Sequence, residues 1–287
     1  MLGPDAGQAM LPTGPHPPPP PPLGPVLGRL GALEVRLATT ADEVCRAQAT
    51  RFEVFYREGR AVPDEAVRAA GRDADAYDER CDHLLVLDRA AGGEPTAVGT
   101  TRLLRGEVAA RSGGFYSAAE YDLPPLLAER PNPSTLEVGR SCVRSAYRDR
   151  RTVELLWHGI WAYALHHRVE ALFGCASLEG TDPARLAQPL SFLHHHAQAP
   201  EPWRARAVEG RRVPMDLLTR EAVNAGEALR ALPPLLRGYL RLGAGVGDGA
   251  VIDRAFGTTD VFVVLPVADI SARYVAHFGA DAGRHAA

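Results

Sequence analysis

Apolar and polar positions settle into recognisable periods only from about residue 33 onward. Leu33-Glu34-Val35-Arg36-Leu37 alternates with the two-residue period of a half-buried strand. Val44, Ala47, Phe52 and Phe55 then place an apolar face on a helix over about 41–58, opened by Thr40 and Glu43 in a T-x-x-E capping box. Residues 59–80 are charged and carry no period. Leu84–Leu87 and Ala97–Leu104 read as an antiparallel hairpin turning at Gly92-Gly93-Glu94-Pro95. A polar loop with Pro124, Pro125, Pro131 and Pro133 follows. The run Thr135–Val143 predicts a strand whose internal Gly139 marks a bulge or the close approach of a ligand. Val153, Leu156, Trp157, Ile160, Trp161, Ala164 and Leu165 recur at helical spacing and predict a helix over 151–168. A buried strand at 171–176, a helix at 182–196 and a strand near 204–208 come next. A helical, proline-broken stretch at 220–242, a strand at Val261–Leu265 and a terminal helix at 267–278 complete the order. No internal repeat is visible. This order predicts an α/β class, a three-layer α/β/α domain with a mixed, splayed central sheet.

Composition sharpens the boundaries. Ten of the 24 prolines fall in residues 1–30, six of them consecutive at Pro17 to Pro22, so this segment reads as an extended, disordered leader or as the product of a misplaced start. Residues 31–280 are expected to form the folded domain, with a C-terminal extension over about 220–280 and a tail at 281–287. The chain has 287 residues, 46% of them hydrophobic, and a net charge of −3, which is globular composition with ample core material. No nucleic-acid partner is expected. All 32 basic residues are arginine, which excludes a P-loop lysine, a pyridoxal Schiff base and every other lysine chemistry. Cys45, Cys81, Cys142 and Cys175 show no metal-binding spacing, so free thiols in a cytoplasmic protein are expected, with no metal. No signal peptide or membrane-spanning run is visible, which leaves only peripheral contact with the inner membrane surface.

Candidate chemistry gathers around the Thr135–Val143 strand. Arg144, Arg148, Arg150 and Arg151 stand just before and inside the first turn of the strongest helix, whose free N–H groups favour an anion. They form either a phosphate site or a solvated basic turn. Cys142 as a nucleophile lacks an obvious histidine partner, and His194-His195-His196 diverge around a helix axis instead of converging on a metal. Leu235, Leu236, Tyr239, Leu240 and Leu242, with Arg237 and Arg241 between them, make a short amphipathic piece suited to the core or to a membrane surface.

Glu137-Val-Gly-Arg-Ser-Cys142, Tyr147-Arg148, Leu156-Trp157-His158-Gly159-Ile160 and Gly174-Cys-Ala-Ser177 through Asp182 together resemble the ornithine Nα-acyltransferases, a GNAT-related family. The likeness extends to Asp78-Glu-Arg-Cys81-Asp82-His83 and to Pro234-Leu-Leu-Arg-Gly-Tyr239, Asp253, Phe256-Gly257-Thr258 and Asp260, covering about 31–278. Arg51-x-x-x-Phe55, Asp75-x-x-Asp78, Arg102 and Glu137-x-x-Arg140 are also similar to the acyl-homoserine-lactone synthases. Those synthases carry a Trp where Ala61-Val62-Pro63 stands here, and that departure, with the long C-terminal extension, favours the ornithine family.

The resemblance implies a GNAT-like fold and a reaction in which 3-hydroxyacyl-acyl carrier protein gives its acyl group to the α-amine of L-ornithine, yielding lyso-ornithine lipid. The phosphopantetheine of the carrier is then the donor group, with no permanently bound cofactor. An ammonium cannot attack a thioester, so a base is required, and Glu137 is the candidate, with Arg140 and Tyr147 beside it in the catalytic set; the other reading of Glu137 is an exposed carboxylate paired with Arg140. The bulged strand would supply an oxyanion donor, and Tyr147 or a water would protonate the leaving thiol. Arg51, Phe55, Asp78, Arg102, Ser177, Asp182, Asp253 and Asp260 are the substrate-binding candidates, although Asp182 reads first as a helix cap. In Arg148-Asp-Arg-Arg151-Thr-Val153, bulky residues stand where coenzyme A-binding GNAT loops carry glycine, which argues for a carrier-protein donor. The remaining readings are a lactone synthase using S-adenosylmethionine, an acyltransferase for another amino acid, and a non-catalytic carrier- or membrane-binding module.

Overall fold

In the computed structural model, residues 23–270 are described except 91, 124, 125 and 128–133. The strands are β1 Val26–Leu30, β2 Leu33–Leu37, β3 Asp82–Asp88, β4 Thr96–Arg105, β5 Tyr121–Asp122, β6 Thr135–Val143, β7 Ala171–Glu179, β8 Arg206–Ala207, β9 Arg212–Val213, β10 Gly245–Asp253 and β11 Thr258–Pro266. The helices are α1 Ala41–Phe52, α2 Glu65–Ala70, α3 Gly106–Arg111, α4 Arg150–His166, α5 Ala187–His196, α6 Ala225–Ala231 and α7 Pro234–Leu242. One mixed sheet runs β1-β2-β3-β4-β6-β7-β11-β10-β8-β5, with β9 on β10. Its parallel contacts are β6 with β7 and β8 with β10.

Helices cover both faces, as the hydrophobic pattern requires. The apolar stripe of α4 buries Leu155, Leu156, Ile160 and Ala164 against Val35, Leu84, Val86 and Leu136. On the opposite face α1 sets Ala47 against Leu85, Leu87 and Ala97. A third cluster packs Phe115, Tyr121, Phe173 and Phe262 beneath the C-terminal half of the sheet. Thr40 caps α1 by accepting from the Glu43 N–H at 3.2 Å, while the Glu43 carboxylate takes the Thr39 N–H at 2.7 Å, one residue earlier than a strict capping box.

Three expectations are corrected. The folded unit begins inside the segment read as leader, because β1 pairs with β2 and Leu27 is buried. β10 went unanticipated because Gly245, Gly247 and Gly249 interrupt any strand period; a Cβ at Gly245 would lie 2.5 Å from Ala199, and one at Gly247 2.5 Å from the Ala205 carbonyl oxygen. The 59–80 stretch holds the short helix α2. The remaining leader residues 1–22, the prolines of the 124–133 loop and the terminal helix and tail beyond 270 lie outside the described residues.

Candidate active site

β6 and β7 begin as parallel neighbours but pair only through Thr135–Ala171, Leu136–Leu172 and Glu137–Phe173. Beyond these pairs β6 stays on β4 and β7 stays on β11, so the two strands diverge. Gly174 permits the close approach at the fork: a Cβ there would stand 2.3 Å from the Val138 carbonyl oxygen. A cavity of about 720 Å³ fills the opening. The strand glycine does mark a bulge, since Arg140 and Ser141 together face Thr101 of β4, and Arg140 adopts φ 52°. The β6 edge turned away from β4 is therefore not paired with β7 past the fork, leaving backbone donors and acceptors toward the cavity.

Glu137 sits at the apex of the fork and is 4% exposed. Its carboxylate accepts from the Tyr116 N–H at 2.8 Å, the Ser117 N–H at 2.7 Å and the Ser117 hydroxyl. Burial pushes its carboxyl above the ordinary glutamate range, against the pull of these hydrogen bonds. The exposed Glu137–Arg140 pair is corrected. Arg140 turns instead to Asp73 at 3.1 Å and Asp75 at 3.4 Å, with its guanidinium over the rings of Tyr116 and Phe256.

Three of the substrate candidates converge on one wall. Ser177 and Asp260 are cross-strand partners, and the Ser177 hydroxyl hydrogen-bonds the Asp260 carboxyl, as does Thr258 at 2.9 Å. Asp253 and Glu120 join them, with ligand oxygens of all three carboxylates within 4.8 Å; among the described residues this is the one group with the donors to hold a cation. Burial pushes the carboxyls of Asp260 and Glu120 upward, and neighbouring carboxylates add to it. Phe55 also lines the cavity, edge-on to Phe256 at 5.7 Å.

Other candidates sit elsewhere. Arg51 is 1% exposed and spends its guanidinium on Asp73 and Asp78, so Arg51 and Asp78 brace α1 against the sheet and do not line the cavity. Arg102 does reach it, held by Asp75 at 2.6 Å and Asp78 at 3.0 Å. The four-arginine cluster is split. Arg148 lines the cavity, Arg150 pairs along the helix with Glu154 at 2.5 Å, and the Arg151 guanidinium lies over the Gly31 turn. Arg144 is half-buried and off the cavity wall. Tyr147 points to β3, donating to Asp88 at 2.8 Å, and cannot serve the leaving group. Asp182 is exposed, accepts from the Ala184 N–H at 3.0 Å and faces Arg185, so it closes a turn off the cavity; the cap reading is corrected too, because α5 starts only at Ala187 and Leu186 stands at its cap position.

Burial pushes the Cys142 thiol up to about 12, so it stays protonated and is no nucleophile at neutral pH. His194 and His195 are turned to Gln198 and the Leu218 carbonyl. Sequence reasoning missed Tyr116, Ser117, Glu120 and Glu58. The first three belong to a polar loop with no period, and the only local signal is Gly113-Gly114, both at positive φ just ahead of them.

The far arm of the cavity is apolar, walled by Leu156 and Trp157 of α4, Leu172, Val263 and Leu265 of the sheet, and Leu235 and Leu236 of α7. Tyr239 of α7 meets Trp157 edge-on at 4.7 Å, so the amphipathic piece packs on the core and roofs this arm.

An acetyltransferase (GNAT) domain matches residues 50–158, the stretch from α1 to the middle of α4 that carries Glu137 and the bulge. Fold and site thus define a GNAT-type acyltransferase. An L-ornithine N(alpha)-acyltransferase of Brucella abortus (strain 2308) is 52% identical over 261 residues, covering 90% of this chain and 93% of its own length. Another of the same name, from Rhizobium meliloti (strain 1021), is 53% identical over 262 residues, covering 90% of this chain and 88% of its own. The chain belongs to the L-ornithine Nα-acyltransferase family. Among solved structures, that of FeeM, an N-acyl amino acid synthase from uncultured soil microbes, is similar at a TM-score of 0.48 and 11% identity, covering 82% of this chain and 91% of that one. No helix among the described residues is long and apolar enough to cross a membrane.

Proposed function

We propose that this chain transfers a 3-hydroxyacyl group from the phosphopantetheine thioester of acyl carrier protein to the α-amine of L-ornithine, giving lyso-ornithine lipid. The observation that carries the reading is one forked cavity joining a buried carboxylate, a cluster of acids and an apolar arm. The acyl chain lies in the arm roofed by α7. The pantetheine amides pair with the free edge of β6, as an added strand would. The δ-ammonium of ornithine meets Asp260 and Asp253 on the cavity wall, which bring the α-amine toward Glu137.

The amine nitrogen attacks the thioester carbon, the C–S bond breaks, and the amine proton passes to Glu137 directly or through a water. The oxyanion is met by backbone N–H groups at the bulge, and the departing thiolate takes a proton from water. Because the product carries a long acyl chain, it is released at the inner membrane surface.

The test is mass spectrometry of reactions containing 3-hydroxyacyl-acyl carrier protein and, in turn, ornithine, other amino acids and S-adenosylmethionine. A new amide on ornithine is the expected product. Methylthioadenosine would establish a lactone synthase, acylation of another amine would move the acceptor, and no product with any acceptor would leave a binding module.

A further inference from the structure

After Phe52 the backbone of α1 widens into a π-helical turn, Glu53–Glu58, and ends at Gly59, where a Cβ would stand 2.5 Å from the Phe55 carbonyl oxygen. The next residues cross the open end of the fork. Glu58 is tied to the β6 side, Arg60 pairs with Glu179 at the last residue of β7 at 2.7 Å, and the Val62 N–H donates to the Ala255 carbonyl at 2.9 Å. Residues 58–62 are thus a strap over the mouth. Its tie to β7 is weak, because Arg60 and Glu179 are 78% and 71% exposed and water competes for both.

The tie to β6 has a different character. Both oxygens of Glu58 accept from the Ser145 N–H at 3.0 Å, one also accepts from the Ser145 hydroxyl at 3.0 Å, and the other from the Arg148 guanidinium at 2.6 Å. Three donor groups from the turn before α4 therefore converge on the two oxygens of one monoanion. A phosphodiester has the same charge and the same paired oxygens, and this turn lies at the cavity mouth where the carrier's arm must enter. Ser145 is exposed and Arg148 is 51% exposed, so an anion from solution can reach both.

We propose that Glu58 is a built-in competitor seated in the anion site that receives the phosphodiester of the donor's phosphopantetheine arm, so that docking of the donor expels Glu58 and swings the strap outward. The proposal rests on the carrier-protein donor reading. Its thermodynamic consequence is that apparent donor affinity is reduced by the fraction of molecules in which Glu58 occupies the site.

The experiment compares the full-length wild type with Glu58→Gln, titrating each with inorganic phosphate and with free 4′-phosphopantetheine by calorimetry, and measuring KM for 3-hydroxyacyl-acyl carrier protein. The variant should bind both probes about fivefold tighter and show a correspondingly lower KM, a gain that mere loss of a structural contact would not give. Arg148→Ala placed on the variant should cancel the gain. No tightening of either probe in a variant that melts like the wild type overturns the proposal. Tighter probe binding with an unchanged KM for the carrier protein overturns the donor assignment and leaves the anion seat. Should the variant fail to fold, mass-spectrometric mapping of tryptic cleavage after Arg60 in the wild type decides: binding of 4′-phosphopantetheine should accelerate it, and unchanged or slower cleavage overturns the strap's movement.

Discussion

Glu137 and Asp260 are both buried carboxyls at the fork, yet their surroundings give them different work. Glu137 is held by three donors from Tyr116 and Ser117, which fixes its direction while burial keeps its proton affinity above that of an ordinary glutamate. Glu137→Gln should lower kcat/KM at least about 100-fold in an amide-forming assay with intact melting behaviour. In the wild type the acid limb of the kcat/KM profile should lie above pH 4.5, the unperturbed glutamate value. Asp260 instead faces like charge from Asp253 with no arginine bound to it, so its raised carboxyl contributes stability at low pH that is lost as pH rises through its folded value. Asp260→Asn should therefore melt higher than wild type at pH 8 while raising KM for ornithine about 10-fold or more. Norvaline, the same carbon chain without the δ-amine, should be a poor substrate for both proteins; a variant with an unchanged ornithine KM would remove the carboxylate cluster from the site. At this scale Glu137, Asp253 and Asp260 were singled out by motif resemblance alone, and all three line the cavity. Glu120 and the Ser117 cradle were not, since an aperiodic loop reveals its partners only after folding.

Local turns explain where the reading of elements succeeded and failed. Helix α4 was recoverable from its apolar period, whereas β4, buried on both faces, showed itself as a run bounded by turn residues. Tyr147 and Arg151 were misplaced because a tight turn at Ser145–Tyr147 precedes α4 and rotates them off the cavity side, toward Asp88 and the Gly31 turn. Charge spacing carries no information about that rotation. Helix α7, ambiguous between core and membrane, spends Leu236 on the core and sets Leu235 and Tyr239 against the apolar arm. Filling that arm should shorten the chain it accepts: Leu235→Trp should shift donor preference toward shorter acyl groups in a mixed-chain competition read by mass spectrometry. An unchanged product distribution would move the acyl chain out from under α7.

Across the whole molecule, the buried set Arg51, Asp73, Asp78 and Arg102 joins α1 to the sheet. Burial alone would raise the Asp78 carboxyl, but Arg51 and Arg102 more than offset it and hold the group at about 2. Its folded value lies below its unfolded one, so it contributes stability above about pH 4 that is lost as pH falls toward 2, worth about 2 kcal/mol. Asp78→Asn should lose about 3 kcal/mol at pH 7 by removing the carboxylate shared by two buried guanidiniums, which keep only Asp73 and Asp75, and the gap to wild type should narrow in melts approaching pH 2. Removal of residues 1–30 should also be costly, because it deletes β1 and the burial of Leu27, worth about 2 kcal/mol, and takes away the Leu27 carbonyl that His158 contacts at 3.1 Å. A truncation that melts like the full chain would mean that the β1 edge is dispensable. The layered class was legible from element order, whereas β1 was hidden by its proline-rich surroundings and β10 by its glycines. The fork has a mechanical side as well. With β6 and β7 joined through three residue pairs, the sheet consists of two leaves bound along a short spine. Amide exchange should divide the molecule along that line, with the inward amides of Val138–Val143 trading deuterium early in the free protein and falling silent once a donor arm lies between the leaves.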